Sequence, residues 1–290
     1  MAGIHNEEDY LMDPDEVDLG LDSVFIEAAR PPSPEATFSI FQGLHKEFRI
    51  RLVGSHPLWG HHLWNSALSV ASYLEQHPSL FHNKNILELG AGGALPSLVA
   101  AESGARKVVI TDYPDPDLIQ NIKYNVQENV GVARKGNVAI QGYIWGHSVQ
   151  PLLASLQDRS NTNPDLNEDL FDLIILSDLI FNHSQHDALL KTCHLSLKPS
   201  LRTSRSSFND EATEASSTAS LLTPSILVFY THHRPHLAHR DMEFFDKARD
   251  QGWICVEVVT QKFDPMFPED PGEEEVRATV HGWLLTRSSR

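Results

Sequence analysis

Cysteine is scarce in this chain. Cys193 and Cys255 are the only two and lie far apart in sequence, which excludes a disulfide framework or a cysteine-based metal knuckle. Long apolar runs are missing as well. No uninterrupted stretch approaches the roughly 20 residues that a membrane-spanning helix needs, and the amino terminus lacks the basic-then-apolar pattern of a signal peptide. These absences point to a soluble protein in a reducing compartment, most simply the cytoplasm. Positive charge is short too: 23 Lys and Arg face 39 Asp and Glu, for a formal charge of −16. That balance argues against nucleic acid or an anionic membrane as a main partner, because phosphate binding rewards clustered Lys and Arg. A basic protein substrate would be favoured instead. No Lys or Arg precedes Arg30, whereas acids recur from Glu7 to Glu27. Such a stretch buries little apolar surface, so residues 1–46 are expected to form an acidic, mobile segment. Ser, Thr, Asn and acids dominate again at about 199–224, a low-complexity insertion in the domain spanning 47–290.

What the chain does have is organised around Asn85-Ile-Leu-Glu-Leu-Gly-Ala-Gly-Gly-Ala-Leu-Pro-Ser97. Asn85 to Leu89 is a short apolar run with one charge, the pattern of a buried strand. Gly90, Gly92 and Gly93 follow as a turn without side-chain bulk, and helical spacing restarts at Leu95. Strand, bare loop and helix N-terminus form a platform on which a small molecule can lie against main chain. Glu88, just inside the strand end, offers a carboxylate to a cation or an amine. The dinucleotide fingerprint Gly-x-Gly-x-x-Gly would need a third glycine where Leu95 stands. The loop instead resembles the Glu-x-Gly-x-Gly that holds the amino-acid moiety of S-adenosylmethionine in seven-stranded methyltransferases. The next strand, Lys107 to Thr111, leads into Asp112, an acid placed for ribose hydroxyls under either reading.

Regular alternation surrounds this platform. Phe48–Val53 has the period-2 pattern of an exposed-edge strand, and a helix is predicted from His61 to Leu74. Helix Leu95–Ser103 and strand Lys107–Thr111 precede a helix capped at Pro114–Asp117 and running to about Asn129. Further strands are predicted at Val138–Ile144, Phe171–Ser177 and Ile226–Tyr230, with helices at Pro151–Leu156, His186–Leu197 and Met242–Gln251. Ser160–Glu168 reads as a polar loop. The last two strands, Ile254–Thr260 and Ala278–Thr286, are joined by a Pro- and Glu-rich connection with no predicted helix. So short a link argues for an antiparallel terminal pair. The fold class is therefore α/β, and the element order resembles the Rossmann-like seven-stranded sheet of S-adenosylmethionine-dependent methyltransferases, with its antiparallel terminal pair.

Five segments sharpen the reading: Pro57-Leu-Trp-Gly-His-His-Leu-Trp64, Leu87-Glu-Leu-Gly-Ala-Gly-Gly93, Thr111-Asp-Tyr-Pro-Asp-Pro-Asp-Leu118, Gly142-Tyr-Ile-Trp-Gly146 and Leu176-Ser-Asp-Leu-Ile-Phe-Asn-His183. Together they resemble the family-16 protein methyltransferases. The resemblance is to the branch once named for nicotinamide N-methylation and now associated with the amino terminus and adjacent lysine of fungal translation elongation factor one-alpha. It implies that Gly90, Ala91 and Gly92 cradle the methionine part of S-adenosylmethionine, and that Asp112 accepts hydrogen bonds from the ribose diol. It further implies that Trp145 packs on the adenine, that Trp64 and Trp59 wall the cofactor opposite, and that Ser177 lines the floor beneath the sulfonium. Asp178 is the candidate that orients the amine, in an acidic-x-x-aromatic motif that ends in Phe181 where Tyr is common. The implied partner is a protein, elongation factor one-alpha, and the chain is expected to act as a monomer. Small-molecule amine methylation and a non-catalytic binding module are the alternatives. The histidines at 61, 62, 183, 186, 232, 233, 236 and 239 have no Cys or acid at ligand spacing, so no metal is expected.

Overall fold

The computed structural model describes residues 34–157, 170–199 and 223–288. The acidic stretch before Pro34, the polar loop at 160–168 and most of the 199–224 insertion lie outside the described residues. One sheet organises the rest. Its strands are β3 (Asn85–Leu89), β4 (Lys107–Asp112), β5 (Val138–Gly142), β6 (Leu173–Ser177), β7 (Ser225–Thr231), β8 (Trp253–Lys262) and β9 (Thr279–Arg287), in the order β5-β4-β3-β6-β7-β9-β8. Pairing is parallel from β5 to β7. Only β9 runs the other way, antiparallel to both β7 and β8. The terminal pair is thus antiparallel as expected, with the last strand slotted inside the sheet.

The central strands read as continuous apolar runs because both faces are buried. Ile86, Val108, Ile110, Leu173, Ile175, Leu227 and Phe229 point to one face. They pack there against α1 (Asn65–Gln76), α2 (Leu95–Glu102) and α3 (Pro116–Asn129). Leu87, Leu89, Val109, Ile174, Leu176, Ile226 and Val228 point to the other. They meet α5 (Gln150–Ala154), α6 (His186–Ser196) and α7 (Ala238–Asp250), while the single-turn α4 (Val132–Lys135) buries no side chain. Strand order reverses between β3 and β6, so their carboxyl ends flank a crevice, the place where open α/β sheets bind ligands. No helix among the described residues is long and apolar enough to cross a membrane.

Three local expectations need correction. Order begins before residue 47: β1 (Thr37–Gln42) pairs antiparallel with β2 (Glu47–Leu52) in a separate two-stranded sheet. Only Phe41 of β1 is buried, while Phe38 and Ile40 are exposed, so its own apolar pattern barely marks it. The first helix starts at Asn65, not His61, because Trp59 sits at φ +61° and Trp64 is still extended. A five-residue helix, α8 (Glu274–Ala278), interrupts the link between β8 and β9. Its first turn carries Glu274 and Glu275, which suit the positive end of a helix.

The hairpin is held by asparagines rather than by the sheet. Asn125 accepts from Arg51 N at 2.8 Å and donates to Arg51 O at 2.8 Å. Asn129 repeats this with Arg49, at 2.9 Å both ways, and Asn121 donates to Arg51 O at 2.9 Å. Residues four apart on a helix share a face, so these three amides satisfy the open edge of β2. Asn125 also donates to Gly93 O at 3.1 Å, tying α3 to the glycine loop.

Candidate active site

A cavity of about 400 Å³ opens at the carboxyl ends of β3, β4 and β6. Every residue singled out from the sequence lines it: Trp59, Trp64, Gly90, Ala91, Gly92, Asp112, Trp145, Ser177 and Asp178. Sequence reasoning placed them in separate segments; the topology gathers them into one wall.

β3 delivers the chain into Gly90 at φ +59° and Gly92 at φ +52°, left-handed conformations that favour glycine. At Gly90 bulk is excluded as well. A Cβ there would lie 2.6 Å from Leu179 Cδ2 and 3.1 Å from Trp145 Cζ2. Asp112 closes the loop from β4: its Oδ2 accepts from Gly92 N and its Oδ1 from Tyr113 N, each at 2.7 Å. Burial raises its pKa against those two donors. Glu88 is 1% exposed. Its Oε2 accepts from Ser97 N at 3.1 Å, while Oε1 is buried without any partner. Burial, the largest cause, pushes this carboxyl up to about 8, with the Ser97 bonds opposing and Asp112 adding to it.

Across the crevice β6 ends in Ser177, whose Oγ is buried without a partner. Asp178 follows at φ +56°. Trp59, Ala94 and Asp178 all carry positive φ, and all three line the cavity. Such backbone strain concentrates where a fold holds functional groups in place. The Asp178 carboxylate is buried, and both of its oxygens have hydrogen-bond partners. Ser66 Oγ donates to Oδ2 at 2.8 Å, His233 Nε2 lies 3.1 Å from Oδ1 and 3.0 Å from Oδ2, and Thr231 N reaches Oδ1 at 3.4 Å.

Aromatic rings form another part of the lining. Trp59 and Trp64 meet edge to face with centroids 6.5 Å apart, and the His233 ring packs on Trp64 at 4.9 Å. His62, also lining the cavity, is held below its ordinary pKa by burial and by neighbouring His61. Behind this wall Asp241 is buried between His183 and His232, at 2.7 and 2.6 Å. Among the described residues no group of three or more His, Cys, Asp or Glu is arranged to hold a metal ion.

Ser66 and His233 are the partners that sequence reasoning did not assign to Asp178. The run Thr231-His-His-Arg-Pro235 is expected at the pocket rim from its place after β7, but none of it is among the residues lining the cavity, and nothing local links His233 to a residue 55 positions earlier. As a whole the cavity offers a bare backbone loop, an acid whose two oxygens each accept one backbone N–H, a second buried acid with an unpartnered oxygen, and indole faces. That set suits a nucleoside carrying a cationic amino-acid tail.

Comparison with known proteins identifies the family. The family model described as lysine methyltransferase matches residues 46–204, more than half of the chain. The protein N-terminal and lysine N-methyltransferase of Cryptococcus neoformans var. neoformans serotype D is 42% identical over 98% of this chain and 91% of its own length. The protein of the same name from Schizosaccharomyces pombe is 41% identical over 83% of each. Among solved structures, a chain described as a candidate SAM-dependent methyltransferase of Streptococcus mutans superposes with a TM-score of 0.52 at 12% identity, over 88% of this chain. This chain spans 57% of the length of that one. The likeness at such low identity is one of fold.

Proposed function

The chain belongs to the lysine methyltransferase family, and from that premise we propose that it uses S-adenosylmethionine to methylate the amino terminus and adjacent lysine of translation elongation factor one-alpha. Relatives at about 40% identity carry the name protein N-terminal and lysine N-methyltransferase, and the motif resemblance supplies the factor. The observation that carries the cofactor assignment is Glu88 Oε1, buried and unpartnered at the foot of a glycine loop too tight at Gly90 for a side chain.

The residues present fit that cofactor. Glu88 would take its ammonium, with Gly90, Ala91 and Gly92 beneath its amino-acid part. Asp112 would receive the ribose hydroxyls in charge-assisted bonds. Trp145 would pack on the adenine, Trp64 and Trp59 would wall the opposite side, and Ser177 would lie below the sulfonium. Once bound, the cofactor supplies an activated methyl group; the chain supplies alignment and a site that admits a neutral amine. An unperturbed lysine costs about 4.6 kcal/mol to neutralise at pH 7 and an α-amine about 1.1, so the site must do more for the lysine. Exposed Leu58, Trp59 and Tyr113 line the cavity, a rim that suits an extended peptide better than a small enclosed amine.

Incubating elongation factor one-alpha with the protein and S-adenosylmethionine, then mapping methyl groups by tandem mass spectrometry, tests the proposal. Methylation at the amino terminus and the neighbouring lysine is expected. Methylation of nicotinamide with none on the factor would overturn the substrate assignment.

A further inference from the structure

Asp241 is a buried carboxylate that the cavity does not use directly. It stands in the first turn of α7, 5% exposed, and neither it nor its two partners line the cavity. An ionised carboxylate only accepts, so His183 Nε2 donates to Oδ1 at 2.7 Å and His232 Nδ1 to Oδ2 at 2.6 Å. The two donors belong to the segments that leave β6 and β7 at the cavity edge. His183 ends the run from Asp178, in which Asp178, Leu179, Phe181 and Asn182 line the cavity. His186 Nε2 holds the same run from α6, donating to Ile180 O at 2.6 Å. His232 lies between Thr231, whose N reaches Asp178, and His233, whose Nε2 does the same. Asp178 depends on this frame. At φ +56° it holds a conformation that persists in a residue other than glycine only when its surroundings fix it. Ser66, Thr231 and His233 give it three donors, and a carboxylate offers about four lone-pair sites. One site is left for an amine N–H.

We propose that Asp241 is a positioning residue for the amine end of the cavity, bridging the β6 and β7 segments so that Asp178 meets the substrate nitrogen in one orientation. The inference rests on the amine-methylation reading above. Asp241 touches neither substrate nor cofactor in this scheme. Its effect is on the alignment of the nitrogen with the methyl group, where small displacements slow a reaction steeply. The cofactor end is held separately. Glu88 bonds to Ser97, and Asp112 to Gly92 and Tyr113; none of these contacts involves Asp241. Leu179, packed where a Gly90 Cβ would sit, is a link between the Asp178 run and the glycine loop, so a small effect on cofactor affinity is expected.

Asp241→Ala removes both bridges at once. In the full chain, S-adenosylhomocysteine affinity should stay within about threefold, while kcat for an amino-terminal peptide of elongation factor one-alpha falls on the order of thirtyfold. Asp241→Asn should recover most of that rate, because its amide oxygen accepts from one histidine and its NH2 donates to the other in the opposite tautomer. Coupling separates positioning from general stability. In an Asp178→Asn background, adding Asp241→Ala should lower kcat by no more than about threefold further. An unchanged kcat in folded Asp241→Ala overturns this inference alone, as does a loss that multiplies in full onto that of Asp178→Asn. Parallel loss of rate and cofactor affinity also overturns it, marking Asp241 as a prop of the fold. Should Asp241→Ala not fold, His183→Ala cuts one bridge and must show the same split and the same coupling; an unchanged kcat there overturns the inference. A wild type that binds S-adenosylhomocysteine but methylates no peptide amine overturns the proposed function and this inference together.

Discussion

Cofactor binding should expel a proton from Glu88. The side chain is 1% exposed, one oxygen accepts from Ser97 N, and the other has no partner. Burial lifts its pKa from 4.5 to about 8, a preference for the neutral acid worth roughly 5 kcal/mol. The sign follows from linkage. Because the folded pKa is raised, the benefit of the neutral form is complete below pH 4.5 and is lost as pH climbs through about 8. A ligand ammonium beside Oε1 reverses the preference, since an opposite charge favours the carboxylate. At pH 7 a group titrating near 8 is about 90% protonated, so binding should release close to one proton. Calorimetry of S-adenosylhomocysteine binding in buffers of different ionisation enthalpy reads this release directly. Glu88→Gln should abolish the buffer dependence, weaken binding by tenfold or more, and leave the free protein more stable than wild type near pH 8. A buffer-independent heat in the wild type, or the same buffer dependence in Glu88→Gln, would refute the assignment of the ammonium to Glu88.

Other outcomes follow from the same cavity. Asp112→Ala should weaken S-adenosylhomocysteine binding by about 1.5–3 kcal/mol through loss of charge-assisted bonds; unchanged affinity in a folded variant would exclude the ribose role. Gly90→Ala forces a Cβ to within 2.6 Å of Leu179 at φ +59°, so both melting temperature and cofactor affinity should fall, the latter more than tenfold; wild-type affinity by calorimetry would contradict the cradle. With only about 0.04% of an unperturbed lysine neutral at pH 7 against roughly 14% of an α-amine, lysine methylation should rise more steeply between pH 7 and 9. Mass spectrometry at fixed reaction times would show it, and parallel pH curves for the two amines would count against rate-limiting chemistry at the lysine.

Sequence alone determined what is local in this protein. The run from Asn85 to Ser97 carries its own strand, glycine loop and helix start. Asp112 ends the next strand because an apolar run stops there, and the doubly buried strands announce themselves by continuous Val, Ile and Leu. Those segments specify both the fold class and most of the cavity wall, since each depends on contacts within a few residues. Tertiary structure decided what joins distant positions. β9 lies between β7 and β8 through hydrogen bonds to two strands, and no pattern inside β9 encodes that order. Three asparagines on α3 hold the edge of β2, an arrangement invisible until helix and strand are brought together. The same holds for the surroundings of Asp178. Asp178 reads in sequence as a free acid near the reacting amine; only the parallel pairing of β6 with β7 sets His233 against it.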